Sequence, residues 1–234
     1  IKVPRGSRFV TGITAHVMGT WGDAKVREWT AGAVALHANS LLLQRELHEI
    51  VQDKRVHYLP NGVDHEFWSR LRPRTITDRL IVGHVGKPNP RKGYDIIERA
   101  CAIAGCELRA VRRKAGNALP PEDVREFYQD LHVLATASDM DGTPNPALEA
   151  ACCEVALVTN RIGNMPEFVH DGVNGHFVER DAESIAAVLL AIQSDLGRVE
   201  DMGRAARETV LAEWTWRRQA ERVRTLWREV LSAA

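Results

Sequence analysis

Residues 141–178 read "DGTPNPALEAACCEVALVTNRIGNMPEFVHDGVNGHFV", a stretch with a loop, a proline-started helix, an apolar strand and a second proline-started helix. Asn145 before Pro146 predicts the first helix start, because asparagine is a preferred cap and proline suits the first helical position. The preceding "HVLATAS" is typical of a buried strand. The stretch therefore predicts a helix N-terminus at the carboxyl end of a strand, where open α/β sheets bind ligands.

The chain on both sides of this stretch alternates short apolar runs with amphipathic segments, which indicates parallel βαβ units and an α/β fold. Residues 80–180 contain a complete doubly wound series that begins at "LIVGHVG". Residues 1–65 contain only two or three strands, which is short for a domain. The charged segment at about residues 66–79 has few apolar positions, so we place the domain boundary there.

Local signals predict several helix ends and one loop. Ser40 is expected to cap the helix that starts at Leu41, and Gly105 is expected to end the helix that starts at Tyr94. The segment "VMGTWGD", residues 17–23, is interpreted as a loop after the first strand.

Composition excludes several classes of protein. Lys+Arg and Asp+Glu are both 31, so the net charge is zero and indicates no global attraction to nucleic acid or membrane. The four cysteines form no C-x-x-C pair, which favours buried, reduced thiols over a zinc site or a disulfide framework. No apolar run approaches about 18 residues, so no transmembrane helix is predicted. These features favour a cytoplasmic protein.

Three acids accompany the two helix starts of the opening stretch, namely Asp141, Glu149 and Glu167. Glu149 follows Asn145 by four residues, and helical side chains lean toward the N-terminus, so its carboxylate approaches the ligand edge of the sheet. The helix N-terminus suits phosphate, whereas carboxylates accept hydrogen bonds from hydroxyls. A sugar nucleotide carries both groups. Glu167 is interpreted as an acid that complements the dipole of its own short helix.

Cations for the phosphates are present in "HVGKPNPRKGYD", residues 84–95. Gly86 ends a strand, and Lys87 and Lys92 stand at the two ends of the following loop, where they can clamp a diphosphate. Arg91 is expected to be a surface residue. Neither a Walker loop nor a dinucleotide-binding fingerprint is present in this segment.

These motifs, together with "LPNGVD" and the tryptophans of "WTW" at 214–216, resemble the retaining glycosyltransferases of family 4 (glycosyl transferases group 1). The resemblance runs in order from about residue 8 to residue 230 and implies the GT-B fold of two Rossmann-like doubly wound domains. It implies a partial, acceptor-side N-terminal domain over 1–68, a nucleotide-sugar-binding domain over 69–212 and a closing C-terminal helix over 213–234. We expect that a segment upstream of Ile1 completes the first domain.

The resemblance also implies roles for the acids. Glu149 matches the second acid of the family's glutamate pair, which holds the nucleotide ribose. Asp141 stands where the family has the first glutamate, toward the transferred sugar or the acceptor. Aspartate is shorter than glutamate, so this acid reaches less far, and the identity of the donor sugar is left open.

The cations and the loop receive roles in the same way. Lys87 replaces the usual arginine and Lys92 matches the family lysine, and both would stabilise the departing diphosphate. The Gly142–Thr143 backbone would lie near the sugar and phosphates, with Gly86 and Asn145 as further binding residues. His16, at the end of "TGITAH", matches a histidine near the reacting centre. The catalytic set is therefore His16, Lys87, Lys92 and Asp141.

The implied reaction transfers a hexose or pentose from a nucleoside-diphosphate sugar with retention of anomeric configuration. The resemblance implies no bound metal and no cofactor other than this co-substrate. The acceptor is open: a glycan, a lipid, a small molecule or a modified nucleic-acid base. The sequence leaves a second function open, a non-catalytic nucleotide-sugar-binding module or subunit that needs a partner. Oligomeric state is open as well.

Overall fold

The structure, a computed structural model, describes residues 9–13, 18–74, 79–87, 89–112 and 119–232. Two parallel sheets form the framework of these residues. The strands are β1 (Val10–Ile13), β2 (Ala35–Ala38), β3 (Val56–Tyr58), β4 (Ile81–Gly86), β5 (Glu107–Arg112), β6 (Val133–Thr136), β7 (Ala156–Thr159) and β8 (Gly175–Phe177). The helices are α1 (Met18–Thr30), α2 (Leu41–Ile50), α3 (Tyr94–Ala104), α4 (Pro121–Gln129), α5 (Asn145–Cys152), α6 (Met165–Phe168), α7 (Ala182–Gln193), α8 (Leu196–Thr209) and α9 (Trp216–Ser232).

The first sheet has the strand order β1-β2-β3, and the second has the order β5-β4-β6-β7-β8. All pairings within both sheets are parallel. The order of the second sheet reverses at β4, which has β5 on one side and β6 on the other. That reversal opens a crevice at the carboxyl ends of β4 and β6, the usual ligand position in such sheets.

Helices cover both faces of the second sheet. Leu134 and Leu157 join one core with residues of α4, α5 and α8, while Val133 and Val158 join a second core with residues of α3, α7 and α8. All residues of β6 and β7 are buried, as expected for parallel strands between two helix layers. The predicted α/β class is therefore confirmed.

Several local predictions are confirmed. The Ser40 hydroxyl accepts a hydrogen bond from the Leu43 backbone N at 3.2 Å, so it caps α2. Gly105 follows α3 with a φ of 68°, the left-handed conformation that ends a helix at glycine.

Three local predictions were wrong or incomplete. Segment 17–23 is not all loop, because α1 begins at Met18 and is interrupted at Gly22, which has a φ of 65°. Asn145 is the first residue of α5 rather than its cap, since its carboxamide instead accepts a hydrogen bond from the Asn61 side chain at 3.0 Å. The strand β8 was not predicted.

The segment between the sheets, expected to be a domain boundary, is attached along the second sheet's helices. The buried Arg74 guanidinium pairs with Glu200 and donates to the Glu154 carbonyl oxygen at 2.9 Å. Arg72 pairs with Glu126 at 3.2 Å and with Asp130 at 3.0 Å. These ion pairs fix the segment before β4 to the second sheet unit.

Glu167 joins the two sheet units. Its carboxylate accepts one hydrogen bond from the Leu41 backbone N at 2.7 Å and another from the Tyr58 hydroxyl at 2.6 Å. Glu167 thus serves the N-terminus of α2, a helix of the other unit, and not only its own short helix as the sequence indicated. Burial raises the pKa of Glu167, although both hydrogen bonds act in the opposite direction.

Removing the Tyr58 hydroxyl tests this junction. A hydrogen bond to a charged group contributes about 1.5–3 kcal/mol, so we expect Tyr58→Phe to lower the free energy of unfolding by that amount. The control is Tyr94→Phe, which removes an exposed hydroxyl–carboxylate bond to Glu98 at 2.9 Å. For the control, we expect the free energy of unfolding to fall by less than about 1 kcal/mol. Equal losses in urea denaturation would contradict the assigned role of Glu167.

His132 is a buried titratable group that directly precedes β6 of the second sheet. Its Nδ1 atom accepts a hydrogen bond from the Ile81 backbone N at 2.9 Å, which requires an unprotonated Nδ1. Burial, with a further contribution from the positive charge of Arg74, lowers the pKa of His132 from 6.5 to about 4. The unfolded chain therefore binds a proton below pH 6.5 that the folded chain does not bind until about pH 4.

As the pH falls through this window, we expect the free energy of unfolding to decrease. His132 alone is expected to account for a decrease of about 2 kcal/mol between pH 7 and pH 5. His132→Asn keeps an acceptor for the Ile81 N–H but does not titrate, so its pH slope is expected to be shallower. Burial also lowers the pKa values of His37 and His57, so the difference between parent and variant slopes is the relevant quantity. The exposed His48→Asn is the control; a parent-like slope for His132→Asn counts against this explanation.

Candidate active site

The loop after β4 brings its lysines to the carboxyl edge of the second sheet. Pro90–Lys92 form a single 3-10 turn, started by Asn89, whose side chain accepts from the Arg91 backbone N at 3.0 Å. Gly93 follows with a φ of 65° and lies so close to the end of β6 that a Cβ atom would meet the Ala137 carbonyl oxygen at 2.3 Å. This close approach fixes the backbone of Lys92 beside the loop that follows β6.

Lys92 and Asp141 form an ion pair with a distance of 2.5 Å between Nζ and Oδ2. Both side chains are largely buried, with 29% and 18% of their surface exposed. They line a cavity of about 230 Å³ with Gly86, Lys87 and the two prolines of the α5 start, Pro144 and Pro146. The structure therefore brings four of the predicted residues together in this first cavity: Gly86, Lys87, Lys92 and Asp141.

A second cavity, of about 250 Å³, lies between the two sheet units. Ser40 and Leu42 of the α2 start face Asp141, Gly142 and Arg161 across it. Asp141 lines both the first and the second cavity. The predicted residue Gly142 therefore lies where the two units meet.

The loop 141–143 packs directly on the loop after β7. The Asn164 backbone N donates to the Gly142 carbonyl oxygen at 3.0 Å. Gly163 has a φ of 54°, and a Cβ atom on it would come within 2.2 Å of that same oxygen. Only glycine permits this contact between the two loops.

Glu149 lines a third cavity, of about 170 Å³, together with Asn145, Asn61 and Trp216. Its Oε2 atom accepts a hydrogen bond at 2.9 Å from the hydroxyl of the buried Tyr128. Glu149 does not line the first cavity. Neighbouring residues of the first turn of α5 line the two cavities: Pro146 lines the first and Asn145 lines the third.

Thr143 lies in a buried polar cluster that the sequence did not indicate. Its hydroxyl oxygen accepts from the side-chain amides of Asn39 at 3.3 Å and Asn164 at 2.9 Å. Asn39, Asn164 and Tyr128 were all missed, because their partners come from distant parts of the chain. His16 lies outside the described residues.

Among the described residues, no group of three or more His, Cys, Asp or Glu side chains is arranged to hold a metal ion. In the same residues, no helix is both long and apolar enough to span a membrane. The expected metal independence stays a prediction.

Several solved structures share the fold of this chain at low sequence identity. Sucrose-phosphate synthase from Thermosynechococcus elongatus has a TM-score of 0.75 at 18% identity and covers 93% of this chain and 64% of its own. The Anabaena protein HepE, in complex with UDP and glucose, has a TM-score of 0.74 at 16% identity. The match covers 96% of this chain and 71% of HepE. The fold of the chain is therefore of the GT-B type, as predicted.

The family follows from the sequence comparison. The family model described as glycosyl transferases group 1 matches residues 51–195, more than half of the chain. The chain belongs to the glycosyl transferases group 1 family.

Its relatives are longer proteins. A GDP-mannose-dependent α-(1-6)-phosphatidylinositol monomannoside mannosyltransferase from Mycolicibacterium smegmatis is 28% identical, over 72% of this chain and 55% of the relative. An α-maltose-1-phosphate synthase from Mycobacterium tuberculosis is 32% identical, and the match covers 89% of this chain and 68% of the relative. The chain thus spans between about half and two thirds of the length of these two relatives.

The contact between the loops at Gly163 generates a prediction with a matched control. Gly172 also has a positive φ, 76°, but a Cβ atom there would meet nothing within 4 Å. We expect Gly172→Ala to cost about 1–2 kcal/mol of unfolding free energy for the left-handed backbone alone. Gly163→Ala is expected to cost at least about 2 kcal/mol more, because the Gly142 loop must move. Similar losses in urea denaturation would show that the contact is not tight.

Proposed function

We propose that the protein transfers a sugar from a nucleoside-diphosphate sugar to an acceptor, with retention of anomeric configuration, as a member of family 4. The observation that carries this proposal is the first cavity, in which Lys87 and Lys92 face the N-terminus of α5 at the strand-order reversal of the second sheet. Two lysines beside the start of a helix suit a diphosphate, because their ammonium groups and the helix dipole both favour negative charge. Family membership supports the reaction class.

Lys92 is proposed to neutralise the diphosphate as it departs. Its ion pair with Asp141 at 2.5 Å holds the cation in place. A preorganised cation stabilises charge that develops in the transition state without a reorganisation step. Lys87, which is exposed at the other end of the loop, is proposed to contact the same diphosphate.

Glu149 is proposed to accept hydrogen bonds from the ribose hydroxyls. Tyr128 supports this role, because its hydroxyl orients the carboxylate through Oε2. This role of Glu149 requires that the nucleoside of the bound donor lie along the first turn of α5. The nucleoside would extend from the first cavity toward the third. Asn145 and the Gly142–Thr143 backbone are proposed binding groups along the same turn.

The acceptor side is proposed to be the second cavity, which combines residues of both sheet units. There the acceptor oxygen would bond to the anomeric carbon as the bond between that carbon and the diphosphate breaks, and the proton of the acceptor hydroxyl would pass to the departing diphosphate oxygen. Asp141, which lines both the first and the second cavity, is proposed to contact the transferred sugar. His16 stays a proposed catalytic residue, and we propose that the reaction needs neither a metal ion nor a further cofactor.

Calorimetry with a panel of nucleoside diphosphates, followed by donor-turnover assays on the full-length gene product, tests this function. A relative is described as GDP-mannose-dependent and HepE binds UDP, so GDP and UDP begin the panel. We expect Lys92→Met to weaken diphosphate binding about 10- to 100-fold, the equivalent of one charge-assisted hydrogen bond. Arg91→Met, which removes an exposed cation from the same turn, is expected to change binding less than about twofold.

The outcomes separate the alternatives. Release of nucleoside diphosphate from a donor sugar when acceptors are added supports a transferase. Binding without turnover would instead favour a nucleotide-sugar-binding subunit that needs a partner. Equal effects of the two substitutions on binding would contradict the assigned diphosphate position.

A further inference from the structure

Residues that follow β7 and β8 line a fourth cavity, of about 400 Å³. Most of its lining residues are polar or charged, namely Asn160, Arg161, Asp171, Glu179, Arg180 and Ser184. Arg161 lines the second cavity as well, which is the proposed acceptor side. A ligand with one part in each of these two cavities would therefore pass along a single side chain.

Arg161 presents its guanidinium group to the fourth cavity in a restrained orientation. Its Cζ atom lies over the Phe177 ring, 4.0 Å from the ring centroid, and Phe177 also lines this cavity. Phe177 is half-buried in β8, so it provides a fixed platform for an otherwise exposed side chain. Among the described residues Arg161 forms no ion pair, so its N–H groups are available to a ligand.

Arg180 is the second cation of the fourth cavity, and two loops of the first cavity hold it. Its Nε atom donates to the Ala137 carbonyl oxygen at 2.9 Å, and its Nη2 atom donates to the Pro90 carbonyl oxygen at 3.1 Å. Ala137 follows β6, and Pro90 begins the turn that contains Lys92. Arg180 thus fixes the wall of the fourth cavity to the loops of the proposed donor site.

Two carboxylates supply hydrogen-bond acceptors in the same cavity. The Asp171 Oδ1 atom accepts from the Phe177 backbone N at 3.0 Å, which attaches this carboxylate to the strand that carries the ring. Glu179 is exposed and directly follows Val178 at the end of β8. The two acids balance the two arginines, so the lining offers donors and acceptors without a net charge.

This combination suits the hydroxyl groups of a sugar better than it suits other ligands. Each hydroxyl both donates and accepts, so neighbouring hydroxyls can use guanidinium N–H groups and carboxylate oxygens together. A phosphate would be repelled by the two carboxylates. A nucleobase binds best on an open aromatic face, whereas the aromatic ring of this lining, Phe177, carries the Arg161 guanidinium.

We propose that the acceptor is a glycan of at least two sugar units, and that the fourth cavity binds the unit next to the one that receives the transferred sugar. The proposal rests on the proposed function, which places the reacting hydroxyl of the terminal unit in the second cavity. Arg161 donates to hydroxyls of the inner unit, and Asp171 accepts from them. Neither residue lines the first or the third cavity, so both act on acceptor affinity rather than on donor affinity.

Transfer assays on the full-length gene product test this inference with acceptors of increasing length. The probes are gluco-, manno- and galacto-oligosaccharides of two to four units, each assayed beside its monosaccharide. For the sugar series that is used, we expect kcat/KM to rise at least about tenfold from one unit to two, the equivalent of one hydrogen bond to a charged group.

Arg161→Gln tests the assigned position of the inner unit, because it keeps a polar side chain but removes the stacked guanidinium. We expect the ratio of kcat/KM between disaccharide and monosaccharide to fall to less than about twofold, mainly through KM for the disaccharide. Nucleoside-diphosphate affinity, measured by calorimetry, is expected to stay within about twofold of the parent. Arg204→Gln, which removes an exposed arginine paired with Asp201 on α8, is the matched control and is expected to keep the parent ratio.

The failures are distinguishable. A parent protein that binds no nucleoside diphosphate overturns the proposed function, whatever the variants do. A parent that binds nucleoside diphosphate but gains nothing from a second sugar unit, or uses no saccharide of the panel, overturns only the inference of a glycan acceptor. A disaccharide preference that persists in Arg161→Gln overturns the assignment of the inner unit to the fourth cavity.

Discussion

The ligand edge of the second sheet depends on one close backbone contact, between Gly163 and the carbonyl oxygen of Gly142. Because the contact leaves no room for a Cβ atom, it sets the position of the loop that follows β6. That loop then places Asp141 against Lys92 and places Thr143 under the side-chain amides of Asn39 and Asn164. The contact between Gly163 and Gly142 therefore sets the positions of the Asp141 carboxylate, the Lys92 ammonium group and the Thr143 hydroxyl. None of these three groups takes part in the contact itself.

The two sheet units are joined mainly by polar groups. The first sheet has its own small apolar core, with Leu36, Leu43 and Leu47 among its members. Hydrogen bonds from Tyr58 and Leu41 to Glu167, and from Asn39 to Thr143, cross to the second unit. Interfaces of this polar kind permit relative motion of the parts they join. The cavity between the units is therefore bounded by contacts that can be exchanged for contacts with a ligand.

Sequence reasoning succeeded where the determining chemistry is local. The cap at Ser40 and the helix end at Gly105 each depend on a few neighbouring residues and on well-defined backbone preferences. The lysines at the ends of the loop after β4, and Asp141, were brought together as predicted because parallel strands end at one edge of a sheet.

Sequence reasoning failed where a contact with a distant segment of the chain determines the position of a side chain. Asn145 was expected to cap its helix, but Asn61, 84 positions away in sequence, takes its side chain. Glu167 does lie in the first turn of its own helix, but its hydrogen bonds to Leu41 and Tyr58 were not predicted. Asn164 carries no signal in the sequence, since its importance arises from complete burial next to Thr143. The placement of Glu149 against Tyr128 likewise depends on packing of α4 on α5, which no periodicity reveals.

The closing helix α9 returns to the beginning of the chain. Its Leu226 and Val230 pack on Ala35 of the first sheet and form a small apolar cluster apart from the core around Leu36. Among the described residues the backbone passes between the units near Val63 and near Thr215, and these two passages are bonded to each other where Val63 pairs with Thr215. Two neighbouring crossings that are bonded to each other restrict the relative motion of the units more than a single tether would. The geometry of any opening is in this way restricted by chain connectivity, before a substrate contributes anything.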